Sequence, residues 1–201
     1  MIINLALMAI LLVVVAAIFR AGLLQGMMLF FNVLVAATFA TAWYETLATY
    51  LERYLAPYTY FLDIVSLWAT FALILVTLVT VTSQLFKKNV MFAPQVEIIG
   101  RILVGLLTGW TVVEFTALGL HTAPLKNEVV PMPPERSMLF GLKPDRCWLW
   151  WVRGSSRNGP FATPDEPFDK SEPDDPFNFF KRHEDRRKTI SQEESIVRPD
   201  A

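Results

Sequence analysis

The chain has little of the chemistry that enzymes and metal sites need. Its 201 residues include one cysteine, Cys147, and two histidines, His121 and His183. A lone cysteine can form neither an intrachain disulfide nor a cysteine-based zinc site, and no Cys or His neighbour completes a metal set with either histidine. A Gly-x-Ser-x-Gly elbow and a phosphate loop ending in Gly-Lys-Ser/Thr are also missing. We therefore expect no enzyme, and no catalytic, cofactor or metal residues.

Proline and charge are scarce in the first 120 residues. Pro57 and Pro94 are the only two of the 13 prolines that precede His121, and most charged residues also follow it. This division predicts a membrane domain over residues 1–125 and a polar, proline-rich tail over residues 126–201. The net charge of −1 gives no reason to expect a nucleic-acid partner.

Long apolar runs fill the first part of the chain, at about residues 2–19, 23–43, 62–86 and 98–120. Each approaches or exceeds the roughly 20 residues that cross a bilayer. The first run lacks the basic start and small-residue cleavage site of a signal peptide, so we interpret it as an uncleaved span. The sequence predicts an all-α membrane protein with four transmembrane helices. Its partners would be the lipid bilayer and other membrane proteins or further copies of itself.

Small residues mark one face of two spans. Gly22 and Gly26 begin such a face on span 2, and Gly105 and Gly109 form a Gly-x-x-x-Gly pair on span 4. In lipid, small residues allow two helix backbones to approach closely. We expect Gly105 and Gly109 to form the closest helix contact, with the face of span 2 as their partner.

Polar side chains inside the spans suggest a second kind of site. Glu114 is a carboxylate within span 4, where it is costly unless it is paired, protonated or turned inward. Thr70, Thr77 and Thr80 belong to a line of hydroxyls on span 3. Together these residues could line a channel. Alternatively, the hydroxyls bond to carbonyls of their own helix, and Glu114 bonds to a hydroxyl or reaches water.

Aromatic residues predict contacts at the membrane surface. All five tyrosines lie between residues 44 and 60, which indicates an amphipathic interfacial helix between spans 2 and 3, ended by Pro57. In the Trp-rich segment 146–153, Trp148, Trp150 and Trp151 are predicted to form an interfacial anchor. Phe177 to Phe180 and the bases after them would form either a short amphipathic helix or a solvated run of charge. The rest of the tail is predicted to be largely disordered.

Basic residues in the loops predict the orientation. Arg20 lies in the first loop, and Lys87 and Lys88 lie in the third, which places both loops in the cytoplasm by the positive-inside rule. Four spans then leave both termini on the outer side.

The membrane domain resembles the colicin V production family, whose members are small four-span proteins of the bacterial inner membrane. The residues that carry the resemblance lie in the first turn and around span 4: Arg20, Gly22, Gly26, Glu97, Gly105, Gly109 and Pro124. The family usually has an Asp-Arg pair leading into span 4, whereas here Arg101 follows Glu97 by four residues. The resemblance implies a structural or assembly component that supports toxin production, export or envelope function. A small channel or transporter is the alternative.

Overall fold

The computed structural model describes residues 2–55, 58–85, 92–125, 138–158 and 178–192. Within these ranges the chain forms helices and no strand. Four helices are long and apolar enough to cross a membrane, as the sequence predicts. They are α1 (Ile2–Ala21), α2 (Leu23–Glu52), α3 (Thr59–Leu85) and α4 (Pro94–Thr122). A 3-10 turn follows at Leu139–Gly141, and then come α5 (Pro144–Asn158) and α6 (Phe179–Gln192).

Helix α2 extends beyond the predicted second span. It continues through the tyrosine-containing segment to Glu52, so residues 44–52 are the last turns of α2 rather than a separate interfacial helix. The side chains of Tyr44 and Ala48 are buried, so this part of α2 packs inside the protein. Pro57, the predicted end of the interfacial helix, lies outside the described residues.

The four long helices pack most extensively as α2 against α3 and α1 against α4, and α2 also lies against α4. The main core brings together alanines of α2 and large side chains of α3, α4, α5 and α6. Because the alanines are small, aromatic rings can approach α2 closely. The core residues are Ala36, Ala37, Ala40, Tyr44, Leu67, Phe71, Phe115, Leu118, Trp148, Leu149, Val152 and Phe179.

A second core joins α1 to α4 and to the 3-10 turn. Leu7 packs with Val113, Ala117, Met138 and Leu139. The backbone N–H of Leu139 also donates to Asn4 Oδ1, at 3.1 Å, which satisfies the one polar side chain of the first apolar run. The segment after the four spans is therefore attached to the beginning of α1.

Two parts of the predicted tail are helical and packed onto the four long helices. Helix α5 lies against α4, and Phe179 of α6 is fully buried. Of the two interpretations of the segment after Phe177, the helical one matches the structure. Residues 126–137, 159–177 and 193–201, which make up the rest of the predicted disordered tail, lie outside the described residues.

A groove beside Glu114 and two helix junctions

Glu114 faces a groove between α2, α4 and α5. The groove has a volume of about 760 Å³, within the range of about 300–1,000 Å³ that is usual for ligand sites. Its wall combines apolar and aromatic side chains with one acid, two bases and a thiol. The lining residues are Phe30, Leu34, Thr111, Glu114, Leu142, Lys143, Arg146, Cys147, Trp148, Trp150 and Trp151.

The polar groups of α4 in this wall already have partners. The Trp110 side chain, one turn before Glu114, donates a hydrogen bond to its carboxyl group. The Thr111 hydroxyl donates to the carbonyl of Leu107, at 3.0 Å. Both bonds are made within α4, and the Glu114 carboxyl group lies at the wall of the groove.

The predicted hydroxyl line of span 3 lies elsewhere. Thr77 and Thr80 are exposed on α3 and donate to the carbonyls of Leu73 and Val76, at 2.8 and 2.7 Å. Thr70 is half-buried on the same helix. Such bonding along the helix is the alternative that the sequence left open. The structure therefore does not bring these threonines together with Glu114, whose groove is formed by α2, α4 and α5.

The three predicted anchor tryptophans have different environments. Trp148 is 1% exposed, its indole N–H donates to Thr41 Oγ1 at 3.0 Å, and its ring packs edge-on against Phe115. It is a core residue, so the prediction that it lies at the membrane surface is wrong. Trp151 donates to Thr38 Oγ1 at 3.0 Å and is 41% exposed, and Trp150 is 73% exposed. Helical geometry separates these rings, since adjacent positions lie about 100° apart around α5.

The glycines of span 4 contact α1 rather than α2. A Cβ atom added to Gly105 would lie 3.4 Å from Val15 Cα, and one added to Gly109 would lie 3.2 Å from the Leu11 carbonyl oxygen. The predicted close approach at these glycines is therefore present, but the predicted partner is wrong. The small face of α2 is occupied instead by the rings of the main core, and Gly26 lies under Ile18 of α1 and Val104 of α4.

Glu97 and Arg101 join the first turn to the start of α4. The Glu97 carboxylate accepts hydrogen bonds from the Arg101 guanidinium, at 2.6 and 2.8 Å, and from the backbone N–H of Leu23, at 3.1 Å. Leu23 is the first residue of α2, and such N–H groups lack a partner within their own helix. A carboxylate there also interacts favourably with the helix dipole.

The same junction also holds the end of α1. Arg101 Nη1 donates to the carbonyl of Phe19, at 3.3 Å, where α1 is ending and carbonyls need partners. Gly22 lies between the two helices with φ at +101°, a conformation that favours glycine. The four-residue separation of Glu97 and Arg101 places both on one face of α4. Both side chains can therefore bond to the turn between α1 and α2.

A third cluster joins α5 and α6 to the opposite end of the bundle. His121 Nε2 lies 3.2 Å from Asp145 Oδ2, with both side chains at most 2% exposed. Arg182 Nη1 donates to Glu45 Oε1 at 3.0 Å, and the Tyr44 hydroxyl donates to the same oxygen at 2.9 Å. These pairs fix the start of α5 to α4, and α6 to α2.

Sequence reasoning missed these contacts for a definite reason. His121 and Asp145 are 24 residues apart, and Glu45 and Arg182 are 137 apart, so no local spacing relates them. A signal was available only for Glu97 and Arg101, whose separation of four fits an ion pair on one helix.

Comparison of the chain with models of protein families, with curated proteins and with solved structures finds no match. Among the described residues, no group of three or more His, Cys, Asp or Glu side chains is placed to hold a metal ion.

Proposed function

We propose that this chain is a non-catalytic, multi-pass protein of the bacterial inner membrane. In this proposal it acts as a structural or assembly component that supports toxin production, export or envelope function, the role that its resemblance to the colicin V production family implies. Both termini would lie outside the cytoplasm. Partner proteins would meet the lipid-facing sides of the bundle.

One observation supports this proposal most directly. The positions that carry the resemblance are scattered over the first turn and span 4, yet Glu97, Gly105 and Gly109 all join α4 to another helix. Glu97 bonds to the start of α2 beside Gly22, while Gly105 and Gly109 fit α4 against α1. A motif whose members support one another in this way favours a shared architecture over a chance match of glycines.

A structural role also agrees with the placement of polar groups in the spans. The hydroxyls of Thr77 and Thr80 donate to carbonyls of their own helix. Glu114 lines a groove on the side of the bundle. A channel lined by both sets would need the hydroxyl face of α3 to turn towards α4. This supports the assembly role over the channel.

Complementation would test the proposal. We expect expression of this chain to restore toxin release in a colicin-V-producing strain that lacks its own production protein. Replacing Glu97 and Arg101 together by glutamine should reduce that release, because the α1–α2 turn loses its link to α4. Glu52→Gln, at the opposite end of α2, is the matched control.

Flux measurements would separate the two functions. Purified protein reconstituted in liposomes should pass no ions or small solutes above the level of protein-free liposomes. Flux that falls in Glu114→Gln would instead favour a channel. Failure to restore toxin release, with the protein correctly inserted, would contradict the assembly role.

A further inference from the structure

The groove beside Glu114 has one charged end and one aromatic end. Lys143 immediately precedes α5 and Arg146 lies in its first turn, while Trp150 and Trp151 lie four and five residues after Arg146. At 1.5 Å per residue this separates Arg146 from the two tryptophans by roughly 6–8 Å along the helix axis. Arg146 and Trp150, four residues apart, lie on one side of α5, and Lys143 lines the same groove from the residue before the helix.

The aromatic end continues onto α2. Trp151 donates to Thr38, and the Thr38 hydroxyl donates to the carbonyl of Leu34, one of the lining residues. Phe30 lies one turn before Leu34 and also lines the groove. The groove thus runs from two cations towards an apolar wall on a helix long and apolar enough to span a membrane.

Large apolar side chains remain exposed around this groove. Trp150 is 73% exposed and Leu142 is 59% exposed, and both line the groove. Exposed apolar surface beside a groove marks a binding site for an apolar or amphipathic partner. Trp, Lys and Arg together are typical of the level at which lipid headgroups lie.

We propose that the groove binds one anionic phospholipid. Lys143 and Arg146 hold the phosphate, and Phe30, Leu34 and Trp150 contact an acyl chain. Two bases against the single acid Glu114 leave the lining net positive, which favours an anionic headgroup over a zwitterionic one. A free phosphate ion would make no apolar contact with Phe30, Leu34 or Trp150, whereas an acyl chain would. This inference goes beyond the proposed assembly role, which stands or fails separately.

The lone cysteine supplies a reporter inside the groove. Cys147 lines it, is exposed and is the only thiol in the chain, so alkylation reads out this site alone. Full-length protein in nanodiscs of phosphatidylcholine would be compared with the same protein in nanodiscs containing phosphatidylglycerol. We expect phosphatidylglycerol to slow the alkylation of Cys147 at least fivefold. Lys188→Cys in a Cys147→Ser background is the control, since Lys188 is exposed on α6, and its rate should not change.

Charge variants test the headgroup contact. Lys143→Gln should weaken phosphatidylglycerol binding about fivefold, the effect of one cation near an anionic surface. Arg146 also lies 5.8 Å from the Phe180 ring centroid, so Arg146→Gln could loosen α6, and Lys143→Gln is the cleaner variant. Arg20→Gln removes an exposed cation at the other end of the bundle and should leave binding unchanged.

Three outcomes would overturn the proposal. Equal protection by phosphatidylcholine and phosphatidylglycerol would show that the groove does not select an anionic lipid. Equal binding by Lys143→Gln and Arg20→Gln would show that the cations at this end are not used. Protection by inorganic phosphate alone, in nanodiscs of phosphatidylcholine, would assign the site to an ion rather than to a lipid.

Discussion

At the scale of single residues, Trp148 and Trp150 show how far two positions on one helix can differ. The Trp148 ring is enclosed by α2 and α4 and bonded to Thr41, while the Trp150 ring is mostly exposed. Composition alone assigned both to the membrane surface, because an aromatic ring with one polar atom suits an interface and a core equally well. The difference comes from the direction in which each residue leaves α5.

The first prediction concerns this pair. Trp148→Phe keeps most of the apolar area but removes the N–H that bonds to Thr41, so we expect it to lower the free energy of unfolding by about 1–2 kcal/mol. Trp150→Phe should change it by less than about 0.5 kcal/mol. Unfolding by heat in detergent, followed by circular dichroism, measures both. Equal effects of the two variants would place Trp148 outside the core.

The second prediction concerns the glycines that meet α1. Gly109→Ala places a Cβ 2.8 Å from Leu11 Cδ1 and 3.2 Å from the Leu11 carbonyl oxygen, so we expect a loss of about 1–3 kcal/mol. Gly105→Ala makes only an ordinary contact with Val15, at 3.4 Å, and should cost less.

Gly154→Ala is the control for this series. Among the residues that the structure describes, no atom beyond the neighbouring residues and backbone of α5 lies within 4 Å of its added Cβ, so the substitution should be neutral or stabilise α5 by up to about 1 kcal/mol. The same unfolding measurement ranks the three variants. If Gly109→Ala is as stable as Gly154→Ala, then α1 does not lie against Gly109.

The third prediction concerns the reactivity of Cys147. Although the residue is exposed, partial burial of the thiol, with the charges of Glu114 and Asp145 nearby, raises its pKa. A raised pKa leaves less thiolate at neutral pH, and thiolate is the nucleophile. We therefore expect maleimide to label Cys147 more slowly than an unfolded control at pH 7, and the two rates to converge as pH rises above the raised value. Equal rates at pH 7 in detergent would contradict this.

At the scale of the elements, the sequence predicts what depends on hydrophobic length and misses what depends on packing. Four apolar runs predict four long helices, because a bilayer requires a minimum apolar length. The extension of α2 to Glu52 was not predicted, since Tyr44 reads equally well as an interfacial residue or a buried one. The sequence predicted Glu114 and the three tryptophans of α5 as separate sites, and did not bring them together in one groove because α2, α4 and α5 are far apart in the chain.

The fourth prediction concerns the docking of α5. Asp145 and His121 are buried together, so removing one partner leaves a buried polar group without its counterpart. We expect Asp145→Ala to lower stability by about 3 kcal/mol and to expose residues 138–158 to added protease. In a double-mutant cycle with His121→Ala, the two losses should add to more than the loss of the double variant. If the two losses of stability sum to the loss of the double variant, His121 and Asp145 do not interact.

At the scale of the whole molecule, three long-range contacts lie at one end of the bundle and the Glu97 junction lies at the other. Asn4 bonds to Leu139, His121 lies against Asp145, and Glu45 bonds to Arg182, so the start of α1, the end of α2 and helices α5 and α6 share one side. The Glu97 carboxylate instead meets the turn between α1 and α2. These four contacts are those expected when the four long helices run in alternating directions.

The last prediction is the orientation that follows when the basic loops face the cytoplasm. Alkaline phosphatase, which is active only outside the cytoplasm, should be active when it is fused after Ala201 and silent when it is fused after Lys88. The reversed pattern would overturn the orientation but leave four spans intact. In the part of the chain that the structure describes, α4 is the only long apolar helix between the two fusion points. If both fusions are active, or both are silent, the number of crossings is therefore wrong. The result also decides which leaflet supplies the lipid for the groove, since α5 packs at the end that carries Asp145 and His121.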